Sequence, residues 1–306
     1  MQINDNFFTY EEKALFALRE LFCKNGYERF TMSRFEEYDL YANCKDFLVS
    51  DRIITFTDLD GRLVALKPDV TMSIVRQFVR SGKATQKVYY NENVYRAAQG
   101  NRNFKEIMQT GVESMGELGA TDICRTVALA AQSLNIIGKN YILALSHPDF
   151  VGGIIDAAGV SGDVLRFVRK KNASGLTDYC NSINLPQDKT ALLLKLITCH
   201  GKIGDCLNEL CTLGVNQSTN KAIEEIKVIY DYLKDCDLAD NVQIDFSIAN
   251  NMDYYDGIVF QGYVEGIPQS LLSGGQYGGL MQKNGKKAAA VGFAVYMDEL
   301  RFLKNE

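Results

Sequence analysis

The chain has 306 residues, of which 46% are hydrophobic and 23% are charged, the composition of a folded globular protein. A net charge of −5 excludes the basic balance typical of nucleic-acid-binding domains, so we expect no nucleic acid as a partner. The two histidines and eight scattered cysteines contain no Cys-x-x-Cys pair, so we predict neither a metal site nor a cofactor.

The N-terminal residues lack the basic stretch and apolar run of a secretory signal peptide. The longest apolar runs are well short of the ~18 residues that a membrane-spanning helix needs. We therefore expect a cytoplasmic protein that does not bind membranes.

The first part of the chain predicts a helix and then a hairpin. Residues 9–24 have leucines at helical spacing, and Thr9 and Glu12 match the capping-box pattern that begins a helix. Residues 53–67 contain two β-rich runs around an Asp-Gly pair at 60–61, which predicts a hairpin with a tight primed turn.

Alternating helices and strands are predicted to follow, on the basis of periodicity and breaker residues. In chain order they are a helix over 71–79, strands over 88–96 and 104–115, a helix over 119–137 capped by Thr121, and a strand over 141–145.

The second half predicts an interruption and a return of the sheet. Helical patterns dominate 149–240, which predicts a mostly helical insertion subdomain. Strands are predicted over 242–248 and 258–264, before a glycine-rich segment and a closing helix from about Val291. The remaining parts, 1–148 and 241–306, then predict one α+β core, whose sheet is built from both ends of the chain.

Six segments in chain order resemble the core of class II aminoacyl-tRNA synthetases, specifically the histidyl-tRNA synthetases. They are NGYERFTMSRFEEYDLY, LVALKPDVTMSIVR, VYYNENVYRAAQGNRNFKEIMQTGVESMG, NNMDYYDGIVFQ, LLSGGQYGGL and AVGFAVYMDEL. The resemblance implies an antiparallel class II sheet flanked by helices, and a homodimer. Because the sequence ends at Glu306, soon after the last segment, we expect no anticodon-binding domain.

Several positions depart from the family pattern around ATP. Asn250 and Glu299 stand where the family has arginines, and Ala98 stands where it has an acidic residue. Arg96 matches the second-motif arginine, and the resemblance implies that it is a residual phosphate-facing group. Two like charges ~4 Å apart cost about 4 kcal/mol at an effective dielectric of 20, so a carboxylate facing the phosphates opposes ATP binding. The departures predict a chain without catalytic residues.

Six other residues match the amino-acid pocket of the family and form a candidate histidine pocket. They are Asp69, Thr71, Gln109, Glu113, Tyr254 and Tyr255. The resemblance implies that Asp69 meets the α-ammonium group of the ligand, whereas Asn250 leaves the α-carboxylate without its family cation. Gln109 and Glu113 are four residues apart and face the same side of a strand. The alternative interpretation is a satisfied polar network that binds no ligand.

A synthetase-like core with these departures resembles the regulatory subunits of ATP phosphoribosyltransferase, which act in the first step of histidine biosynthesis. The resemblance implies the short-form catalytic subunit as partner, a homodimer within a hetero-octamer, activation of the partner, and feedback inhibition by histidine. Two alternatives stay open. One is a truncated synthetase-like enzyme that still activates an amino acid with ATP, and the other is a free-standing histidine sensor.

Overall fold

A computed structural model describes the molecule over residues 7–42, 53–97, 103–249 and 254–303. The α-helices within these ranges are α1 (Tyr10–Lys24), α2 (Asp39–Ala42), α3 (Thr71–Ser81), α4 (Ala120–Ile137), α5 (Pro148–Ala158), α6 (Leu165–Arg169), α7 (Ala173–Ser182), α8 (Gln187–Thr198), α9 (Ile203–Thr212), α10 (Gln217–Asp235) and α11 (Gly278–Lys283). None of these described helices has both the length and the apolar composition needed to cross a membrane.

The strands form one large sheet and one small sheet. They are β1 (Glu28–Arg29), β2 (Phe35–Glu37), β3 (Thr55–Thr57), β4 (Leu63–Leu66), β5 (Thr85–Ala97), β6 (Phe104–Gly116), β7 (Tyr141–Ser146), β8 (Gly201–Lys202), β9 (Val242–Ile244), β10 (Val259–Val264), β11 (Leu272–Gln276) and β12 (Ala289–Tyr296). The large sheet has the order β1-β5-β6-β12-β11-β10-β7-β9-β8, and the small sheet has the order β2-β4-β3.

The large sheet is mostly antiparallel, because only the β1–β5 and β7–β9 pairs among its described strands run parallel. Strand β12, from the C-terminal part of the chain, lies between β6 and β11. Both ends of the chain therefore contribute to one sheet, and helices pack on both of its faces. The predicted α+β fold is confirmed.

The start of α1 is as predicted, and the start of α4 is not. Thr9 Oγ1 accepts a hydrogen bond from the Glu12 amide at 3.2 Å, and the Thr9 amide donates to Glu12 Oε2 at 2.9 Å, which completes the capping box. Helix α4 is preceded by Gly119, whose amide donates to Asp122 Oδ2 at 3.1 Å. The predicted Thr121 cap is wrong, because Thr121 already lies in the first turn and the Asp122 carboxylate satisfies the exposed amide.

Strands β3 and β4 form the predicted hairpin, but its turn is wider than predicted. The Asp58 amide donates to the Arg62 carbonyl at 2.9 Å, and the Gly61 amide donates to the Asp58 carbonyl at 3.1 Å. Gly61 has a φ of +78°, whereas Asp60 has no positive φ, so the two-residue primed turn is excluded. Asp58 Oδ1 accepts from the amides of Asp60 and Arg62 at 2.9 and 2.8 Å, which stabilises the wider loop.

The closing helix predicted from Val291 is wrong. This segment forms strand β12, in which Gly292 pairs with Glu113 of β6. The strand is buried on both faces for most of its length, and such an apolar run has no period that separates a strand from a buried helix. A 3-10 helix, Met297–Phe302, follows the strand.

The strand predicted over 242–248 is shorter in the structure, where β9 ends at Ile244. Asp245 Oδ1 accepts a hydrogen bond from the Ser247 amide at 2.9 Å. This bond starts a 3-10 helix, Phe246–Ile248, and that helix ends the extended backbone.

Helices α5 to α10 lie between β7 and β9 in the sequence. Their apolar side chains, such as Leu193, Leu210 and Ile226, are fully buried in the same apolar cluster that packs under the large sheet. Helix α5 already begins at Pro148, and β8 pairs with β9 of the large sheet. The division into a core and a 149–240 insertion subdomain stays a prediction.

The large sheet separates two apolar clusters. Tyr89 of β5 belongs to the cluster with α1, α4, α5 and α10, whereas its neighbour Tyr90 belongs to the cluster with α3 and α11. This alternation follows from the two-residue period of a strand. A polar cavity opens on the α3 side of the sheet, where β5, β6, β10, β11 and β12 contribute to its wall.

Candidate functional site

The cavity on the α3 side has a volume of about 120 Å³. It brings together seven of the residues selected from the sequence: Asp69, Thr71, Arg96, Gln109, Glu113, Tyr254 and Tyr255. Drug-sized ligands occupy pockets of roughly 300–1,000 Å³, so this cavity suits a small polar molecule.

Strand β6 supplies the two innermost polar groups that were predicted. Gln109 is 3% exposed and Glu113 is 2% exposed, and both line the cavity. Their even spacing on one strand places them on the same face, as the sequence predicts. The β6 register against β12 puts Glu113 opposite Gly292, which leaves room for the carboxyl group.

Glu113 is a buried carboxyl group held by two hydroxyl groups. Thr71 Oγ1 lies 2.7 Å from Glu113 Oε1, and the Tyr277 hydroxyl hydrogen-bonds to Oε2. The pKa of the Glu113 carboxyl is raised to about 8, mainly by burial; the hydrogen bonds from Tyr277 and Thr71 lower it and the nearby Asp69 raises it. Most molecules therefore carry a proton on Glu113 at neutral pH.

Asp69 and Arg96 form an ion pair in the cavity wall. Asp69 Oδ1 accepts from the Met72 amide at 3.0 Å, in the first turn of α3. Asp69 Oδ2 lies 3.3 Å from Arg96 Nη2, and Arg96 Nε donates to the Pro68 carbonyl at 2.6 Å. The two side chains are 13% and 11% exposed, so the pair is largely screened from water.

Of the five described tyrosines that line the cavity, Tyr254, Tyr255 and Tyr277 have rings that lie close together. The rings of Tyr254 and Tyr255 meet edge to face at 4.6 Å between centroids, and Tyr254 lies 5.9 Å from Tyr277. Burial is the main cause that raises the pKa of all three phenols above the ordinary tyrosine value. The three phenols therefore stay neutral at physiological pH.

The sequence argument missed three tyrosines of the cavity, Tyr90, Tyr277 and Tyr296. Tyr277 follows β11 and is 2% exposed, and Tyr90 on β5 is 1% exposed. Tyr277 is the single aromatic residue of the SGGQYGG segment, and this was a signal that a bulky group fills space left by glycines. Tyr90 carried no signal, since a tyrosine in a buried strand is ordinary core.

The remaining predicted positions are not part of the described cavity. Glu299 lies in the 3-10 helix after β12, and its buried Oε2 atom has no hydrogen-bond partner among the described residues. Asn250 and Ala98 lie outside the described residues. Glu299 is absent from the cavity wall, so the structure gives no support to its predicted place facing the phosphates.

The described cavity wall has little positive charge. Arg96 is the one cation among the described residues that line it, and Asp69 already neutralises that charge. Adenylate chemistry develops negative charge on phosphates and depends on preorganised cations. The described wall therefore provides no unpaired cation for a triphosphate.

The glycine-rich segment serves close backbone packing. A Cβ atom on Gly274 would lie 2.4 Å from the Gly292 carbonyl oxygen, and one on Gly275 would lie 2.7 Å from the Ile258 carbonyl oxygen. Gln276 Oε1 accepts a hydrogen bond from the Ile258 amide at 2.9 Å. These contacts account for the glycines by close backbone packing, so a role in binding phosphate is not needed to explain them.

The chain is similar to proteins of known families. A family model described as histidyl-tRNA synthetase matches residues 3–300. An ATP phosphoribosyltransferase regulatory subunit from Clostridium novyi is 29% identical over 304 residues, which cover 95% of this chain and 71% of that protein.

Two solved structures are also similar. The crystal structure of an ATP phosphoribosyltransferase regulatory subunit/histidyl-tRNA synthetase from Bacillus halodurans has a TM-score of 0.87 and 25% identity, covering 100% of this chain and 82% of that chain. A chain of the ATP phosphoribosyl transferase complex from Thermotoga maritima has a TM-score of 0.75 and 18% identity, covering 94% of this chain and 97% of that chain. At 18% identity the likeness shows the fold alone.

Proposed function

This chain belongs to the histidyl-tRNA synthetase family, and we propose that within the family it is a non-catalytic regulatory subunit of ATP phosphoribosyltransferase. The observation that carries the proposal is the charge of the cavity, whose one described cation is neutralised by Asp69. A cavity of this kind suits a small zwitterion better than ATP. The choice of enzyme is supported by relatives that match more than nine tenths of the chain and are named as ATP phosphoribosyltransferase regulatory subunits.

The proposed partner is the short-form catalytic subunit of ATP phosphoribosyltransferase, with which this chain forms a hetero-oligomer in the cytoplasm. The chain activates the partner, and histidine reverses the activation. Such regulation requires only that histidine bind two states of the assembly with different affinity. A coupling free energy of ~1–3 kcal/mol is sufficient.

The polar groups of the cavity support histidine as the ligand. The Asp69 carboxylate is a suitable partner for an ammonium group. An imidazole N–H donates to a carboxylate such as Glu113, and the phenols of Tyr254 and Tyr255 border the same space. A ligand that donates to Glu113 favours the ionised form of this carboxyl group, so we expect histidine binding to release protons near neutral pH.

Two assays of the purified chain test the proposal. The first is histidine-dependent ATP–pyrophosphate exchange with magnesium, with a functional histidyl-tRNA synthetase as positive control. We expect no exchange above background, and exchange would instead identify an amino-acid-activating enzyme. The second assay mixes the chain with a short-form catalytic subunit from the same genome. We expect joint elution and a faster phosphoribosyl transfer, and the absence of both would contradict the regulatory role.

Variants of the cavity locate the regulatory histidine. Asp69→Asn and Glu113→Gln should each abolish inhibition by histidine, while the mixed complex still elutes as one species. Glu37→Gln is the matched control, because Glu37 is exposed and pairs with Arg76 away from the cavity. Inhibition that survives both cavity variants would show that histidine binds elsewhere in the assembly.

A further inference from the structure

Two cysteine thiols lie together in the helical part of the chain, away from the polar cavity. Cys199 directly follows α8, and Cys206 lies in the first half of α9. Their side chains are hydrogen-bonded to each other. Cys199 is 1% exposed and Cys206 is 6% exposed, so the fold encloses the contact. Two oxidisable groups are thus held against each other.

The segment between the two thiols lies at the edge of the large sheet. It contains β8, a strand of two residues that comes last in the sheet order and pairs with β9. Local opening costs little free energy where few backbone hydrogen bonds have to break. Opening of this edge gives a small solute access to both thiols while the rest of the chain stays folded.

A charged pair beside the thiols affects their protonation. Glu209 hydrogen-bonds to Cys199, and its Oε1 atom lies 2.7 Å from Lys195 Nζ. Burial is the main cause that raises the pKa of Cys199 to about 12, and the nearby Cys206 and Glu209 contribute. Burial also raises the pKa of Cys206. Both thiols are therefore protonated at neutral pH in the closed fold, which keeps the resting pair reduced.

We propose that Cys199 and Cys206 form a site of reversible oxidation, at which hydrogen peroxide converts the two thiols into a disulfide bond. The contact between the thiols carries the proposal. Cys124 offers a contrast, because it is buried as well but its sulfur bonds to the Val228 carbonyl at 3.8 Å. Neither Cys199 nor Cys206 lines the polar cavity, so the proposal stands apart from the proposed function.

The oxidation has two steps. The Cys206 thiolate, on the more exposed of the two residues, attacks one oxygen of the peroxide and breaks the O–O bond. This step gives a sulfenic acid, and the departing hydroxide takes up the thiol proton to form water. The Cys199 sulfur then displaces the hydroxyl group from the Cys206 sulfur, and the hydroxyl group leaves as water with the Cys199 proton. Two thiols are oxidised to one disulfide, and one peroxide is reduced to two waters.

The disulfide would join the end of α8 to α9 and close the loop 199–206. A disulfide stabilises a fold mainly by restricting the unfolded chain. The oxidised chain should therefore unfold at a higher urea concentration than the reduced chain. Treatment with dithiothreitol should restore the original midpoint, because thiol–disulfide exchange reduces the bond.

Peptide mapping of the purified chain tests the proposal. The reduced chain is treated with hydrogen peroxide, its remaining thiols are blocked with N-ethylmaleimide, and it is cut with trypsin. Cys199 then lies in peptide 196–202, and Cys206 lies in peptide 203–221. We expect the two peptides to be joined, with two hydrogen atoms fewer than their sum, and to separate after dithiothreitol. Recovery of the two peptides unjoined after peroxide would overturn the proposal.

Serine variants identify the two partners. Cys206→Ser and Cys199→Ser should each abolish the link, and Cys199→Ser should leave Cys206 as a sulfenic acid that dimedone traps. Cys211→Ser is the matched control, because Cys211 is exposed and lies in the same tryptic peptide as Cys206. A link that survives in Cys206→Ser and is lost in Cys211→Ser would contradict the assignment. If a variant does not fold, the peptide map of the unaltered chain still decides.

Glu209→Gln tests the effect of the charged pair. The Glu209 carboxylate raises the pKa of both thiols, so its removal should increase the thiolate fraction and speed formation of the link by about threefold or more. Glu20→Gln removes the carboxylate of an exposed lysine pair on α1 and should leave the rate unchanged. A rate in Glu209→Gln no higher than that of the unaltered chain would contradict the part assigned to Glu209.

Discussion

Glu113 owes its raised pKa mainly to burial. The carboxyl group is 2% exposed, and its nearest partners are the neutral hydroxyl groups of Thr71 and Tyr277 rather than a cation. Water that would stabilise the ionised form is excluded, so the proton stays on the group up to a pH of about 8. Because of this one residue, we expect the stability of the folded chain to depend on pH.

The free energy of unfolding should fall as pH rises from 4.5 to 8, through the contribution of Glu113. Between these values the folded chain binds a proton that the unfolded chain has released, so raising the pH favours unfolding. The steepest slope is about 1.4 kcal/mol per pH unit. Glu113→Gln should flatten this part of the profile in urea unfolding. Glu28→Gln, at an exposed position of β1, should leave the profile unchanged. Equal slopes for Glu113→Gln and the unaltered chain would disprove this assignment.

Tyr277→Phe should cost about 1–2 kcal/mol of stability at neutral pH, because it removes the hydroxyl group that bonds to buried Glu113. The hydroxyl group of Tyr277 lowers the pKa of Glu113, so its removal should raise that pKa. The fall in stability with rising pH should then extend to a higher pH. Urea unfolding at several pH values measures both effects. Tyr95→Phe is the comparison, because the Tyr95 hydroxyl meets Glu106 at an exposed position. An equal loss of stability in the two variants would contradict a larger contribution from the buried hydrogen bond of Tyr277.

At the scale of single elements, the pairing of β12 with β6 leaves no space for a side chain at Gly292. A Cβ atom on Gly292 would lie 1.8 Å from Glu113 Oε2 and 2.4 Å from the Val112 carbonyl oxygen. The carboxyl group can rotate, but the carbonyl belongs to the sheet and cannot move without breaking its ladder. Gly292 is therefore required by both the sheet and the cavity.

Gly292→Ala should destabilise the fold by about 3 kcal/mol or more, at the upper end of the usual cost of overpacking. Gly279→Ala is the matched control, because a Cβ atom there meets nothing closer than the Asp256 carboxylate at 4.0 Å. In α11 that change should be neutral or slightly stabilising, since alanine favours helix. Denaturant midpoints compare the two variants, and an unchanged midpoint for Gly292→Ala would refute the close approach.

Most helices and strands were predictable from the sequence, including β6 and β7, which are buried on both faces for most of their length, whereas β12 was not. Helices α1 and α3 carry a 3.6-residue pattern, and the even spacing of Gln109 and Glu113 places them on one side of β6. Strand β12 has buried apolar residues on both faces of the sheet, so its two-residue period is lost. For the site, the motif resemblance identified the polar residues, whereas the bond between Tyr277 and Glu113 joins residues 164 positions apart. Local patterns carry no information about such a pair.

At the scale of the whole molecule, the cavity draws its wall from distant parts of the chain. Asp69 and Thr71 come from the start of α3, Arg96 and Glu113 come from the β5–β6 pair, and Tyr254 comes from the segment before β10. A ligand that contacts all of them binds the folded chain and not the unfolded one. Binding is therefore coupled to global stability.

Histidine at about 100 times its dissociation constant should raise the free energy of unfolding by about 2.7 kcal/mol. The measurement is urea unfolding with and without L-histidine, monitored by tyrosine fluorescence because the chain has no tryptophan. The Asp69→Asn variant should show a much smaller increase. An equal increase in this variant would place the stabilising site outside the cavity.

The position of β12 also determines when the molecule can form. Strand β6 is made long before β12 and β11 only shortly before it, yet each pairs with β12 along one edge. A nascent chain that ends before Ala289 therefore leaves both edges without a neighbour, and unpaired edges are where chains aggregate. On the ribosome, β6 and β11 can be joined in one sheet only after residues 289–296 have been made, which makes β12 the strand that commits this sheet to its native arrangement.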